Sequence, residues 1–524
     1  MSEEFTPRSR VRWLAPSVLA GTVKPLLLSG LFARFSDRRE VEAVLPQGVI
    51  DLSDGDELWV DYVADTGDGF DATATVASLL APEVLTVDGH RTEAGALLVL
   101  GGDEVYPYAS IEAYKDRFIG PFRAMLPCAD PGRLTVALPG NHDWYDGLTA
   151  FLQVFCGGQW IGGWKTVQRR SYFACKLPNR WWLWGIDIQL ETYIDHPQVE
   201  HFKAAAEQIQ EGDSIILCWA VPSWVEAGED RPQAYDTLDY FQRNVVPDRA
   251  HLRLSLTGDS HHYSRYQGPN GEHKITAGLG GAFQSATHHL PNELLLPAQV
   301  KGDPPIPFAQ RAVYPPAATS SAQRWGVLKS IYANDRFAIL PAVAYAGLAL
   351  GLTRSRRRQA TTAVAGAAVT AACVAFSKPD TRRDWGPGLA HGAAHVTAAL
   401  TVASALRAHM TRRLPVVAGA AAAGAAVGPF LFGLYLVAAD RIGLFGRNTN
   451  ELFAAQAIED HKGFLRLHLR PDGGITVYPI KVDEVSRWVP DGTWDAPPGA
   501  PRFRPVTAPA PSLIEPPVEV TPTP

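Results

Sequence analysis

The chain has 524 residues, too many for one compact domain, with 19% charged residues and a formal net charge of −6. That balance carries no basic footprint, so nucleic acid is excluded as the expected partner. Cys128, Cys156, Cys175, Cys218 and Cys373 form no C-x-x-C pair and are odd in number, so free thiols in a reducing compartment are expected instead of a disulfide framework.

Residues 1–49 read as an N-terminal helical segment. Residues 1–10 are polar and lack the charged-then-apolar pattern of a signal peptide, which predicts a domain that is not exported. Residues 25–35 (PLLLSGLFARF) read either as an amphipathic helix on a membrane surface or as a helix docked on its own domain.

From 50 to 300 short apolar runs alternate with helix-length stretches, which predicts an α/β domain with sheets covered by helices. Strands are expected near 58–64, 96–100, 133–138, 171–176, 181–186, 214–219, 252–257 and 273–277, with helices over 111–125 and 198–210. The run Trp181-Trp182-Leu183-Trp184 reads as sheet-face packing.

Four of these strands end in polar, glycine-marked turns. The first leads into Asp65-Thr66-Gly67-Asp68-Gly69, the second into Gly101-Gly102-Asp103-Glu104-Val105-Tyr106, and the third into Pro139-Gly140-Asn141-His142-Asp143. The fourth leads into Gly258-Asp259-Ser260-His261-His262. In open α/β sheets ligands bind beyond the carboxyl ends of the strands, so carboxylates, an amide and imidazoles placed there are expected to converge. The glycines of 278–281 read as tight backbone packing, and His288 and His289 as exposed loop residues.

Residues 301–336 read as a proline-rich connector. Four uncharged apolar stretches follow within 337–439, separated by turns that carry arginine, and membrane helices are the favoured reading over an alanine-rich soluble bundle. His391 and His395 lie one helical turn apart there. Hydrogen bonding between helices is their expected use, with a metal or headgroup contact as the alternative. In 440–489, residues 463–469 and 475–479 alternate on either side of Pro471-Asp472-Gly473-Gly474, a hairpin signal. Residues 490–524 hold 11 prolines among 35 residues, which predicts a disordered tail.

Taken in order, the blocks at Asp65, Gly102-Asp103, Gly140-Asn141-His142-Asp143 and Gly258-x-x-His261 resemble those of the calcineurin-like metallophosphoesterases over residues 50–286. The resemblance implies a layered sheet sandwich in which the helical segment, with four transmembrane helices, is an insertion and the hairpin returns to the catalytic domain. It implies one or two divalent ions (Mn, Fe, Zn or Mg), bridged by Asp103. Asp65 and His261 would hold the first ion, and Asn141 the second. Asp259 would stand where the family has a histidine, and His142 would be catalytic beside the leaving oxygen. Asp68, Tyr106 and His262 are placed behind the ligands or against the substrate. The chain departs from the family pattern at Gly67, Ala220 and Asp259, where histidines are usual.

The expected activity is hydrolysis of a phosphomonoester, phosphodiester or lipid-linked phosphate at a membrane, the plasma membrane being favoured, with the catalytic domain on the cytoplasmic side. The alternative is a catalytically degenerate sensor or scaffold that binds a metal or a phosphorylated ligand. The sequence leaves the oligomeric state open.

Overall fold

Strand alternation builds the first unit. Along Leu97–Leu100, Leu97 and Val99 point into one core and Leu98 and Leu100 into another, as the two-residue period of a strand requires. In the same way Trp181 and Leu183 face one side of their sheet while Trp182 and Trp184 face the other. The fold, a computed structural model, describes residues 5–19, 43–188, 193–229, 232–298, 304–334, 336–351, 356–377, 385–442, 448–491 and 500–523. The helix expected over 25–35 lies outside them.

The chain divides into two compact units, Met1–Val11, Thr22–Ala317 and Glu459–Pro524 in one, Arg12–Gly21 and Ala318–Ile458 in the other. The first unit is mixed α/β and contains two nine-stranded sheets. In one, Leu58–Val63, Leu97–Leu100 and Leu134–Ala137 run parallel. In the other, Trp181–Gly185, Asp213–Cys218, Ala250–Thr257 and His273–Ala277 run parallel. Inward residues of both sheets, among them Val60, Val99, Val136, Leu183, Ile216 and Leu254, share one buried core. Helices Phe70–Leu80 and Thr149–Phe155 pack on the outer face of the first sheet, and His196–Ala206 and Asp236–Asn244 on that of the second.

After the helical segment the chain re-enters the first sheet. Lys462–Leu469 pairs antiparallel with Leu58–Val63, and Ile475–Val482 pairs with Lys462–Leu469. Two expectations fail here. Within the expected connector, Ile306–Tyr314 is a strand between Tyr263–Gln267 and Glu293–Leu296, because its apolar residues find a sheet edge to complete. The proline-rich tail is ordered over 500–523. Ser512–Leu513 and Val518–Val520 pair with Ile475–Val482, Val518 and Val520 enter the core, and Glu515 accepts from Tyr263 and Arg265 at 2.6–2.8 Å. Proline depletes backbone donors without preventing edge pairing. The five cysteines are free; Cys128 is exposed, whereas Cys156, Cys175 and Cys218 are buried.

The second unit is helical: Ile339–Gly351, Arg356–Phe376, Gly386–His409, Arg413–Ile442 and Thr449–Gln456. Among the described residues two helices, not four, are long and apolar enough to cross a membrane, Gly386–His409 and Arg413–Ile442. Ile339–Gly351 has 13 residues; such a helix rises only about 20 Å, short of a hydrocarbon core of roughly 30 Å. The apolar part of Arg356–Phe376 is confined to Thr362–Phe376 by its arginine-rich start. Small residues allow close crossings: a Cβ on Gly392 would lie 2.6 Å from Thr370 Cα, and one on Gly428 2.2 Å from Pro341 Cβ.

Candidate functional site

Three strands, two neighbours in the first sheet and one in the second, each hand over to an aspartate in the left-handed backbone region: Asp65 (φ 60°), Asp103 (φ 54°) and Asp259 (φ 60°). Few non-glycine residues adopt this conformation, and repeated strain of this kind clusters where function over-determines the backbone. The turns are tied together by backbone bonds, Asp65 N–H to Gly102 O at 2.9 Å, Gly258 N–H to Ala220 O at 2.8 Å and Ala282 N–H to Asp65 O at 2.9 Å.

Glycine lets these turns approach. A Cβ on Gly140 would sit 2.1 Å from Asp103 Oδ1, and one on Gly278 2.5 Å from Asp65 Oδ2. The 278–281 loop therefore packs directly on the Asp65 carboxylate.

At the centre stands the Tyr106 hydroxyl. It donates to Asp65 Oδ1 at 2.7 Å and lies 3.1 Å from His261 Nε2 and 3.3 Å from Asp103 Oδ2. The sequence reading set Tyr106 behind the ligands or against the substrate; the fully buried ring places its oxygen among three of the predicted ligands. His261 Nε2 is also 3.4 Å from Asp65 Oδ1. Asp103 Oδ1 accepts the His142 N–H at 2.9 Å, joining the second and third blocks. His142 Nδ1 is 2.7 Å from the Pro107 carbonyl, so Nδ1 carries the proton and Nε2 the lone pair. The Asn141 amide nitrogen donates to Tyr145 Oη at 3.2 Å, which fixes its oxygen in the opposite direction.

Several polar atoms have nothing to bond. Asp65 Oδ2, Asn141 Oδ1, His261 Nδ1 and both ring nitrogens of His262 are buried with no hydrogen-bond partner among the described residues. Such atoms are rarely left so in folded proteins. Carboxylate, amide and imidazole donors on converging strand ends are a set that fits a divalent cation such as Zn²⁺ or Mn²⁺.

Asp68 and Asp259 are the other carboxylates that the sequence singled out. Asp68 Oδ1 accepts the Val11 N–H at 2.6 Å and its carbonyl accepts from Arg117, so it anchors the N-terminal segment. Asp259 bears electrostatically on Asp103, Tyr106 and Tyr145. Ala220 stands beside the second block, since a Cβ on Gly102 would be 3.0 Å from that of Ala220.

Compared with family models and with curated proteins, the chain matches none.

The electrostatics are those of a site short of positive charge. Burial, then the charges of Asp65, Asp143 and Asp259, push the Asp103 carboxyl well above its usual range. Burial, reinforced by Asp103 and Asp65, raises the Tyr106 phenol. Burial lowers His142 to about 4 against the pull of the Pro107 carbonyl, and burial with the His261 charge lowers His262 to about 3. Carboxylates gathered out of water call for a cation. Two contributors went unread in the sequence. Asp143 holds the second and third turns together, and Tyr145 orients Asn141; the spacing in Gly140-Asn141-His142-Asp143 was the available signal for Asp143, while Tyr145 had none.

Proposed function

We propose that this protein is a divalent-metal-dependent phosphoesterase, related to the calcineurin-like metallophosphoesterases, attached to a membrane by its apolar helices. The observation that carries the reading is the convergence of Asp65, Asp103, Asn141 and His261 at strand ends, with Asp65 Oδ2, Asn141 Oδ1 and His261 Nδ1 buried and unpartnered among the described residues. Asp65, Asp103 and His261 would hold one ion, with Tyr106 Oη as a fourth ligand once its proton is released. Asn141, with Asp103 and Asp259, would hold another. When bound, the metal supplies a Lewis acid for the phosphoryl oxygens and a water acidic enough to attack at neutral pH.

The chain's own groups do the rest. Asp103 is fixed at Oδ1 by the His142 amide, and its second oxygen, 3.3 Å from Tyr106 Oη, would face the ion. His142, oriented by Pro107 through Nδ1–H, would offer the Nε2 lone pair to accept a hydrogen bond from a protonated phosphoryl oxygen or from the attacking water. Substrates attached to the bilayer are favoured because the helices Gly386–His409 and Arg413–Ile442 would keep the site near phosphorylated lipids.

The test is hydrolysis of an aryl phosphomonoester and phosphodiester by purified protein with Mn²⁺, Mg²⁺, Zn²⁺ and Fe²⁺, beside Asp103→Asn. Metal-dependent turnover that the substitution removes by at least 100-fold is expected. One observation favours a second reading, a metal-binding sensor without turnover: Gly67 and Ala220 replace two imidazoles, and a Cβ on Gly67 would lie 2.1 Å from Glu104 O. Metal binding with no hydrolysis in any of these assays would select that reading.

A further inference from the structure

In the helical unit, His391 and His395 sit at i and i+4 on Gly386–His409, 6% and 8% exposed, with their Nε2 atoms 3.1 Å apart. Each ring is held from outside. Tyr435 stacks flat on His391 at 4.2 Å between centroids, and the Tyr345 hydroxyl lies 3.4 Å from His395 Nδ1. Tyr435 is itself fixed, its hydroxyl donating to Asn448 Oδ1 at 2.9 Å, while Asn448 donates to the Phe376 carbonyl at 3.1 Å. His391 Nδ1 is buried with no hydrogen-bond partner among the described residues.

A single N–H···N bond would account for the 3.1 Å separation and nothing else. It leaves His391 Nδ1 unpaired, and so would an ion on the two Nε2 atoms, so the choice between them rests on the geometry of the Nε2 pair. The same separation is what chelation needs. Two metal–imidazole bonds of about 2.05 Å meeting at roughly 100° place their nitrogens about 3.1 Å apart, and histidines at i and i+4 on one helix face are a recurrent zinc-binding pair. Ligating imidazoles commonly have the other ring nitrogen oriented by a polar neighbour, as Tyr345 stands to His395.

We propose that His391 and His395 form a second, independent metal site for an imidazole-preferring transition-metal ion of the copper or zinc kind. No third His, Cys, Asp or Glu among the described residues joins the pair. The ion's charge is then offset by a small anion or a headgroup phosphate that takes the open positions.

The experiment uses full-length protein in detergent, with the candidate phosphoesterase site disabled by Asp103→Asn/His261→Ala, titrated with Cu²⁺. One equivalent is expected, with electron paramagnetic resonance couplings from two imidazole nitrogens, and at least tenfold weaker binding on adding His391→Gln or His395→Gln. The spectrum of the parent double variant does not depend on whether the glutamine variants fold. Absence of a bound equivalent, a spectrum without two imidazole nitrogens, or copper retained at full affinity after both glutamine substitutions would each overturn the proposal. Because the titration is made with the phosphoesterase site disabled, its outcome is separate from that of the hydrolysis assay.

Discussion

Asp143 Oδ2 accepts the backbone N–H of Asp103 at 2.9 Å, and the same oxygen accepts that of Gly140 at 2.9 Å. One fully buried carboxylate therefore sets the distance between the turn that carries Asp103 and the turn that carries Asn141 and His142, while Tyr114 donates to its other oxygen. Asp143→Ala takes the acceptor from three buried amides, those of Asp103, Gly140 and, at 3.4 Å, Glu104, an expected loss of about 3 kcal/mol or more. Asp143→Asn keeps an acceptor oxygen for these amides and is expected to cost only about 1 kcal/mol. Urea unfolding of the two variants checks the difference, and metal titration of the alanine variant is expected to show affinity at least tenfold weaker. Equal stabilities would mean that the carboxylate does not join the turns.

Asp61 and Arg466 are direct cross-strand partners where Lys462–Leu469 returns to Leu58–Val63. Their bidentate pair, Nε to Oδ1 at 2.7 Å and Nη2 to Oδ2 at 3.0 Å, is buried, and Asp61 Oδ2 also accepts the Gly95 N–H at 3.0 Å. Arg466→Met strands a buried carboxylate and is expected to cost about 3–5 kcal/mol. Adding Asp61→Asn removes the charge while keeping an acceptor for Gly95, and should restore most of that loss. A denaturation cycle over the four proteins reads the coupling directly.

Local pattern carried far into this fold. The parallel strands were readable because apolar runs such as Leu97–Leu100 are buried on both faces and end in glycine turns. The convergence of Asp65, Asp103 and His261 was readable because polar, glycine-marked turns follow those strand ends. What escaped depends on non-local partners. Ile306–Tyr314 and Val518–Val520 become strands only because an edge elsewhere accepts them. Tyr106 lies three residues past Asp103, and its central place follows from turn geometry that no spacing rule contains. The four apolar stretches are helical, but counting uncharged residues overestimated how many are long and apolar enough to cross a bilayer.

His273 offers a pH test remote from the site. Arg265 Nη1 donates to His273 Nδ1 at 3.2 Å, which requires a lone pair there, and burial followed by the charges of Arg265 and Arg253 lowers this histidine to about 4. The unfolded chain binds the proton below about 6.5, whereas the folded chain resists it until about 4. Stability is therefore unaffected by this group above about 6.5 and falls as pH drops toward 4, by about 3 kcal/mol at most. His273→Gln cannot titrate, so its unfolding free energy should fall less steeply over that window by close to one proton. An unchanged slope would show that His273 is not the group responsible.

Gly67 and Ala220, two of the three positions where the metallophosphoesterase resemblance would put histidines, should respond oppositely to receiving them. Gly67 has φ 51°, and any Cβ there meets Glu104 O at 2.1 Å, so Gly67→His must displace backbone at the turn between Asp65 and Asp103. That substitution is expected to cost about 2 kcal/mol or more and to weaken metal binding. Ala220 already carries a Cβ beside the second turn, and its carbonyl holds the Gly258 N–H at 2.8 Å whatever the side chain. Ala220→His therefore adds an imidazole without asking the backbone to move, and should tighten metal binding by roughly tenfold. Calorimetric titration with Zn²⁺ and Mn²⁺ separates the two variants, and turnover measured on the same samples shows whether the added ligand raises hydrolysis. A gain at Gly67 with none at Ala220 would reverse the assignment of the space around Asp103.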